Sequence, residues 1–201
     1  MPNNVVYQYG NGLYINLTNK CPCKCSFCIR SRADGVGSAC SLWLKKEPTA
    51  EQVISQLKFT ELELYGEIVF CGFGEPLCAL ESLLEVCAYL RSRPDSPAIR
   101  INTNGLGDLI NNKPTAPLLE GLVDTISISL NAPDRQAYNK LCRPSFGERS
   151  FDAILSFAQA CKLYIPNVVF SVVDVLPEEA LSQCYEIANS LDIPLRVRHG
   201  N

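Results

Sequence analysis

Residues 13–28 have the sequence LYINLTNKCPCKCSFC, in which four cysteines follow directly after an apolar, strand-like run. Three of them, Cys21, Cys25 and Cys28, have the spacing C-x3-C-x2-C. Thiolates are the natural protein ligands of iron–sulfur clusters. Three thiolates on a four-iron cluster leave one iron without a protein ligand, and that iron can bind a small molecule. The spacing therefore predicts a [4Fe–4S] cluster that takes part in chemistry.

A structural zinc site is the alternative interpretation of the same cysteines. Such a site normally closes with four ligands, usually as two separated pairs. A second pair is missing here, because the other seven of the eleven cysteines are scattered along the chain. The spacing therefore favours the cluster. Cys23 falls between two predicted ligands and is expected to be a spectator thiol, with a transient ligand or a redox partner as the open alternatives.

The bulk composition is typical of a folded globular protein. The chain has 201 residues, of which 47% are hydrophobic and 19% charged, so a single domain over residues 1–201 is expected. The net charge of −3 and the lack of a long Lys/Arg run give no indication of a nucleic-acid surface. No apolar run reaches the length of a membrane span and no signal-peptide pattern precedes the first strand, so we expect a cytoplasmic protein without membrane association.

Strand-like and helix-like segments alternate along the chain, which predicts a parallel sheet with right-handed crossovers. The strand candidates are apolar and rich in β-branched residues, as expected for strands buried on both faces: residues 14–17, 67–71, 98–102, 125–130, 168–175 and 195–198. Six such units are too few for a complete eight-stranded barrel, which needs about 250 residues. The sequence therefore predicts an α/β fold, namely a partial, open (βα)6 barrel with a six-stranded parallel sheet.

Helix boundaries are indicated by capping residues. Thr49 and Gln52 form a capping-box pattern at the start of one helix. Asp134 is expected to cap a short helix, and Pro177 suits the first position of the last helix.

Polar and glycine-rich segments follow one strand candidate after another. They are residues 18–28, 72–76, 103–105, 131–134 and 199–201. Because the carboxyl ends of parallel strands meet at one edge of a sheet, binding sites form at that edge. The sequence therefore predicts that these segments and the cysteines form one site.

Taken together, these motifs resemble the radical S-adenosylmethionine (radical SAM) superfamily over essentially the whole chain. In that family the cysteine motif holds a [4Fe–4S] cluster, and the amino and carboxylate groups of S-adenosylmethionine (SAM) bind the open iron. The resemblance implies that Cys21, Cys25 and Cys28 are the metal ligands. It also places Phe27 near the adenine of SAM, with plain core packing as the alternative role.

Residues 71–76, with the sequence CGFGEP, resemble the family's G-G-E-P segment after the second strand. Gly74 and Glu75 carry the resemblance, whereas Phe73 departs from it. Glycine lets the backbone approach a ligand closely, and a carboxylate at position 75 can accept a hydrogen bond from the ammonium group of SAM.

Three further strand ends complete the site that the resemblance implies. The segment INTNG resembles the family's third-strand motif, so Thr103 or Asn104 is expected to contact the ribose or the carboxylate of SAM. The segment SISLNAPD supplies Ser129 and Asn131, which should share one face by strand alternation. His199 is the single histidine and ends the sixth strand candidate; a solvated or structural role is its alternative.

Other details resemble the TatD family-associated radical SAM subgroup. They are the segments YGNGLYINLTNKC, CGFGEPL and KLCRP. The subgroup's name implies a TatD-like hydrolase as a possible partner. The family chemistry also implies an electron donor that resembles ferredoxin or flavodoxin. The substrate is unknown, and a peptide, a protein or an RNA stays among the candidates.

The resemblance implies a radical SAM enzyme whose reduced cluster cleaves SAM reductively and generates a 5′-deoxyadenosyl radical for hydrogen abstraction. A glycyl-radical-enzyme activase and a deazapurine-forming small radical SAM enzyme are alternatives. An alternative of another class is a non-catalytic Fe–S or zinc module that docks a TatD-like hydrolase. Glu75 and the other cofactor-type segments favour an enzyme. Arg143 is expected to hold an anionic group of the substrate or a partner.

Overall fold

The computed structural model describes residues 4–198, which form an α/β fold around one seven-stranded sheet. The strands are β1 (Val6–Tyr9), β2 (Gly12–Ile15), β3 (Glu67–Phe70), β4 (Ala98–Thr103), β5 (Thr125–Ser129), β6 (Asn167–Val173) and β7 (Leu195–Arg198). They lie side by side in sequence order. Strands β2 to β7 are parallel to one another, and β1 is antiparallel to β2. The predicted α/β fold with a mostly parallel sheet is confirmed.

The prediction of six strands is wrong by one, because residues 6–9 add an antiparallel strand at the edge of the sheet. A turn of two residues joins β1 to β2, and Gly10 adopts a left-handed φ of 57° there. Glycine takes this conformation without steric cost, which permits a tight hairpin. Tyr7 and Tyr14 face each other across the hairpin, with ring centroids 5.4 Å apart.

Six α-helices lie in the connections of the described chain: α1 (Ala50–Leu57), α2 (Leu80–Arg91), α3 (Gly107–Asn111), α4 (Arg135–Cys142), α5 (Arg149–Tyr164) and α6 (Glu178–Ser190). The capping box of Thr49 and Gln52 is present at the start of α1. Asp134 caps α4 by accepting the N–H of Ala137 at 2.8 Å. Pro177 precedes the first turn of α6 as its N-cap, one position before the predicted one. None of the described helices is long and apolar enough to cross a membrane.

The sheet has one apolar face and one polar face, most clearly in β4 (AIRINT) and β5 (TISIS). The apolar residues are fully buried in the core that includes the helices: Ile99, Ile101, Ile126 and Ile128. The alternating polar residues line a cavity: Arg100, Asn102, Ser127 and Ser129. The expectation that the strands are apolar on both faces is therefore wrong for β4 and β5. Successive side chains of a strand point to opposite faces, so these two sequences place polar groups on one side.

The helix-covered face should supply most of the stability, and two leucines test this. Leu83 of α2 is fully buried in the core, whereas Leu163 of α5 is 76% exposed. We expect Leu83→Ala to lower the free energy of unfolding by about 2–5 kcal/mol, because apolar burial is lost and a cavity forms. Leu163→Ala is the matched control and should change it by less than about 0.5 kcal/mol. Anaerobic urea denaturation measures both changes in the free energy of unfolding. Equal losses in the two variants would contradict the burial of Leu83 in the helix-covered core.

Candidate functional site

A cavity of about 490 Å³ lies on the polar face of the sheet. The four cysteines of the motif border it: Cys21, Cys23, Cys25 and Cys28. Seven other residues that the sequence singled out also line it: Phe27, Gly74, Glu75, Thr103, Asn104, Ser129 and Asn131. His199 lies outside the described residues. The structure thus brings segments from several strand ends together at one site, as expected for the carboxyl edge of a parallel sheet.

The loop that carries the cysteines is held by the end of α4. The N–H of Lys24 donates to the carbonyl of Cys142 at 2.9 Å, and the N–H of Ser26 donates to the carbonyl of Leu141 at 3.0 Å. These bonds fix the backbone on either side of Cys25. As a result, a thiol that is distant in sequence, Cys142, comes next to the motif.

The thiols around Cys25 differ in their tendency to ionise. Hydrogen bonds from Cys142 and Cys23 lower the pKa of Cys25 to about 4. A hydrogen bond from Cys23 is the main cause that lowers the pKa of Cys21. The pKa values of Cys23 and Cys142 are raised, because these thiols act as the donors. Burial raises the pKa of Cys28. Cys21 and Cys25 are therefore the motif thiols whose ionised forms their surroundings stabilise.

The motif cysteines line one cavity, yet among residues 4–198 no three His, Cys, Asp or Glu side chains converge tightly enough to hold a single metal ion. A zinc ion binds its sulfurs at about 2.3 Å and therefore gathers them around one point. The thiolates of an iron–sulfur cluster bind separate irons and need not converge in this way.

Glu75 is a buried carboxylate that connects the ends of several strands. It is 3% exposed and accepts three hydrogen bonds: from the hydroxyl of Thr103 at 2.7 Å, the N–H of Asn104 at 2.7 Å and the N–H of Leu77 at 3.1 Å. Its own N–H donates to the carbonyl of Lys20 at 2.7 Å, next to the cysteines. Burial raises the pKa of Glu75 to about 7, and the three donors oppose that shift.

Thr103 and Asn104 take different positions at the end of β4. The hydroxyl of Thr103 is committed to Glu75 and is 2% exposed as a residue. The amide nitrogen of Asn104 lies 3.9 Å from the Sγ atoms of Cys21 and Cys23. Amide donors next to cluster sulfurs tune the reduction potential of iron–sulfur sites. Asn104 is thus the one of the two whose side chain faces the thiols.

Ser129 and Asn131 both line the cavity, although not through simple strand alternation. Strand β5 ends at Ser129, and Asn131 adopts a left-handed φ of 58°. The amide nitrogen of Asn131 lies 3.8 Å from the Sγ of Cys142, while its Oδ1 is buried without a hydrogen-bond partner in the described chain. The hydroxyl of Ser129 accepts a hydrogen bond from Arg198 at 3.3 Å. Buried polar atoms are rarely left unpaired, so Oδ1 of Asn131 is available to a ligand.

Gly74 is required by the packing of the site itself. A Cβ at this position would lie 2.2 Å from the carbonyl oxygen of Thr18 and 2.8 Å from that of Lys20. The loop after β3 therefore lies directly against the backbone that leads to the cysteines. The sequence suggested that this glycine allows a close approach to a ligand, but the contact it demonstrably permits is one between two loops.

Phe27 and Arg143 were both expected to contact a ligand, and the structure places only Phe27 at the cavity. Phe27 is half-buried, packs against the hydrophobic core and also lines the cavity.

Arg143 is exposed, ends α4 with a left-handed φ of 45° and is not among the residues that line the cavity. Arg143 therefore does not line the cavity, and its role toward a substrate or a partner stays a prediction.

Sequence reasoning missed the residues that line the cavity from within the strands. They are Tyr7, Tyr14, Arg100, Asn102, Ser127, Arg196 and Arg198. The alternation of apolar and polar residues in AIRINT, TISIS and LRVR was the available signal.

Comparisons with known proteins identify the family. Residues 15–191 match the family model of the radical SAM superfamily. GTP 3′,8-cyclase of Corynebacterium glutamicum is 32% identical over 137 residues, which cover 65% of this chain and 33% of that protein. GTP 3′,8-cyclase 2 of Mycobacterium tuberculosis is 30% identical over 142 residues, which cover 68% of this chain and 35% of that protein. The chain spans about a third of the length of these curated relatives.

Solved structures show the same fold. A radical SAM methyltransferase from Sphaerobacter thermophilus matches with a TM-score of 0.62 at 17% identity, covering 96% of this chain and 68% of that one. Streptococcus suis SuiB bound to S-adenosylmethionine matches with a TM-score of 0.66 at 15% identity, covering 96% of this chain and 40% of that one. The chain therefore belongs to the radical SAM superfamily. It is an enzyme, and its cofactors are a [4Fe–4S] cluster and SAM.

The contact between Gly74 and the cysteine loop can be tested without changing any predicted ligand. We expect Gly74→Ala to reduce the iron bound after anaerobic reconstitution, because the added Cβ displaces the backbone at Thr18 and Lys20. Gly121→Ala is the control: its φ of 69° strains the chain, but no atom lies within 4 Å of the added Cβ. It should lower stability by about 1 kcal/mol and leave the iron content unchanged. Full iron loading of Gly74→Ala would show that the two loops do not depend on each other.

Proposed function

We propose that this chain binds its cluster through Cys21, Cys25 and Cys28 and orients SAM beside it for hydrogen abstraction from a substrate. Bound together, the cluster and SAM supply reductive cleavage of SAM to a 5′-deoxyadenosyl radical. The observation that carries the proposal is the single cavity shared by the motif cysteines and by the ends of β3, β4 and β5. The protein itself contributes binding, orientation and the exclusion of competing reactions.

The free acceptors in the cavity suit the amino and hydroxyl groups of SAM. A carboxylate offers about four acceptor positions, and the protein uses three of those on Glu75. The remaining position can accept a hydrogen bond from the amino group of SAM, and the charge of the carboxylate strengthens that bond. The unpaired Oδ1 of Asn131 is a second acceptor. Both atoms fit the proposed ligand without displacing a protein partner.

The other predicted contacts are proposed with roles that their surroundings support. Gly74 brings the loop of Glu75 against the cysteine loop, and Thr103 orients the carboxylate. Phe27 lies beside Cys28 on the cavity wall, where it can pack against the adenine. Ser129 is a cofactor contact that Arg198 also reaches. His199, beyond the described residues, stays part of the proposal on its sequence position alone.

We also propose that the sheet curves as a partial, open barrel. The strands lie in the linear order β1 to β7, and no pairing of β1 with β7 is present in residues 4–198. An open side would admit a large substrate or a partner protein. A donor that resembles ferredoxin or flavodoxin and a TatD-like hydrolase are the partners that fit this proposal. Membership of an enzyme family overturns the alternative of a non-catalytic module.

Similarity to GTP 3′,8-cyclases favours one specific competitor, a purine nucleotide substrate. The identity of 32% with the Corynebacterium protein extends over 65% of this chain. The similarity covers 33% of that relative, so the activity of the whole enzyme does not follow for this chain. Including GTP as one test substrate distinguishes this competitor from a protein, peptide or RNA substrate.

The decisive experiment is anaerobic reconstitution with iron and sulfide, followed by dithionite and SAM and an assay for 5′-deoxyadenosine. We expect the brown chromophore and 5′-deoxyadenosine in the wild type. Changing Cys21, Cys25 or Cys28 to Ala should abolish both, because each removes one ligand. Cys23→Ala is the matched control and should keep the chromophore. If Cys23→Ala loses the chromophore to the same extent, the ligands must be reassigned. Stoichiometric zinc without iron would contradict the proposed cluster.

The role of Glu75 predicts a pH dependence of SAM binding. Burial raises the pKa of Glu75 to about 7, so the free enzyme holds this carboxyl protonated at pH 6 and ionised at pH 8. The ionised form accepts the N–H of the amino group of SAM in a charge-assisted hydrogen bond, which is stronger than the bond that a neutral carboxyl can make. We therefore expect wild-type affinity for SAM to rise between pH 6 and pH 8.

Glu75→Gln retains the shape of the side chain and removes its charge. At pH 8 this variant should bind SAM about 10- to 150-fold more weakly than the wild type, because a charge-assisted hydrogen bond is lost. The gap between the two proteins should narrow at pH 6. Equilibrium dialysis of the reconstituted enzymes measures both. A gap of the same size at both pH values would contradict the proposed charge state.

A further inference from the structure

The last strand brings two arginines to the cavity. In β7, Arg196 pairs in register with Ser171 of β6, and Arg198 pairs with Val173. The two residues are two apart in a strand, so they point to the same face of the sheet. Both line the cavity that the motif cysteines border. The arrangement therefore adds two positive charges to the cavity at the sheet edge opposite β1.

Arg198 is mostly buried and only partly hydrogen-bonded. Its Nη2 donates to the hydroxyl of Ser129 at 3.3 Å, while its Nε is buried without a partner in the described chain. Burial lowers the pKa of Arg198, the nearby thiol of Cys71 opposes that shift, and the charge of Arg196 adds to it. A buried guanidinium that lacks an anionic partner is costly to stability. An anion that enters the cavity would offset that cost.

Arg100 in the same cavity is a fully hydrogen-bonded arginine and serves as the comparison. Its Nε and Nη2 donate to the carboxylate of Glu67 at 2.9 and 2.5 Å, and its Nη1 donates to Asn102 at 3.0 Å. All three nitrogens are used, and the charge is balanced by an acid from the neighbouring strand. Among the described residues Arg198 has neither feature, so Arg100 and Arg198 are not equivalent.

The other walls of the cavity present fewer groups that could bind an anion. The β1–β2 side presents the phenol rings of Tyr7 and Tyr14. On the cysteine side the lining includes Glu75, whose carboxylate would repel a second anion once ionised. Arg32 also lines the cavity, but it is an exposed residue. Among the described residues, the end of β7 is therefore the part of the cavity where an anion meets a guanidinium with a buried, unpaired donor.

We propose that Arg198, assisted by Arg196, binds an anionic group of the substrate, a phosphate or a carboxylate, inside this cavity. The inference rests on the proposed function and specifies its substrate class. A guanidinium presents paired N–H donors that match both anions bidentately. The hydrogen bond to Ser129 holds one edge of Arg198 and leaves Nε for the ligand. The carboxylate of SAM has the same chemistry, so the experiment must separate the two sources.

The test is a calorimetric titration of inorganic phosphate, and separately of acetate, into the reconstituted enzyme saturated with SAM. We expect at least one anion to bind the wild type with one site. Arg198→Gln should weaken that binding about 10- to 150-fold, since a charged hydrogen-bond donor is lost. The anion affinity of Arg198→Lys should lie between those of the wild type and Arg198→Gln, because the charge remains but the paired donors are lost. Arg143→Gln, a change at an exposed arginine outside the cavity, is the control and should bind as the wild type does.

The same titration without SAM is the comparison. Three results would overturn the inference: no binding of either anion, binding that Arg198→Gln leaves intact, or binding that occurs without SAM and is lost when SAM saturates the enzyme. Competition would assign the arginines to the SAM carboxylate. If Arg198→Gln does not fold, Arg196→Gln decides, because Arg196 is an exposed residue of an edge strand. A loss of roughly 2- to 5-fold is then expected, as for an exposed charge, and no loss contradicts the site.

The anion titration also separates this inference from the proposed function. It requires no SAM cleavage and no electron donor. Anion binding that depends on Arg198 without 5′-deoxyadenosine formation would contradict the proposed function and leave the subsite standing. Formation of 5′-deoxyadenosine without anion binding that depends on Arg198 would contradict the subsite alone.

Discussion

The site depends on one buried carboxylate. Glu75 receives donors from the end of β4 and from the turn that follows it in sequence, while its own N–H holds the backbone of Lys20 beside the cysteines. Three separate connections of the sheet therefore meet at a single side chain. Burial alone would destabilise the charge, and the three donors are what make the position tolerable. The same balance keeps one acceptor position of Glu75 unused by the protein.

The two faces of the sheet divide stability from chemistry. Isoleucines on one face of β4 and β5 are fully buried with the helices, which fixes the spacing of the strands. The opposite face can then present polar groups that contribute nothing to the apolar core. This division explains why the strand ends converge so closely that Gly74 has no room for a Cβ. A rigid apolar layer thus holds polar side chains at fixed positions around the cavity.

The sequence predicted those parts of the fold and site that have local signals. The cysteine spacing, the capping box of Thr49 and the polar strand ends all lie within short segments. Contacts between distant residues had no such signal. Cys142 reaches Cys25 only because the end of α4 pairs with the cysteine loop, and Arg100 is neutralised by Glu67 across two strands. The edge strand β1 did have a local signal, the two-residue turn Gly10-Asn11 between two strand-like runs, which sequence reasoning did not use.

The cavity has two chemically different ends, and this bears on how specificity arises. The cysteine side carries thiols, an amide donor from Asn104 and a carboxylate, which suit a cationic, metal-chelating cofactor. The β7 side carries the guanidinium groups of Arg196 and Arg198, and Nε of Arg198 has no hydrogen-bond partner among the described residues. Because the cofactor supplies the reactive species, selection of the substrate falls to residues that do not hold the cofactor. In the subsite proposed above, those residues lie on β7, an edge strand of the described sheet. Divergence there would change the substrate while the cysteine side stays intact.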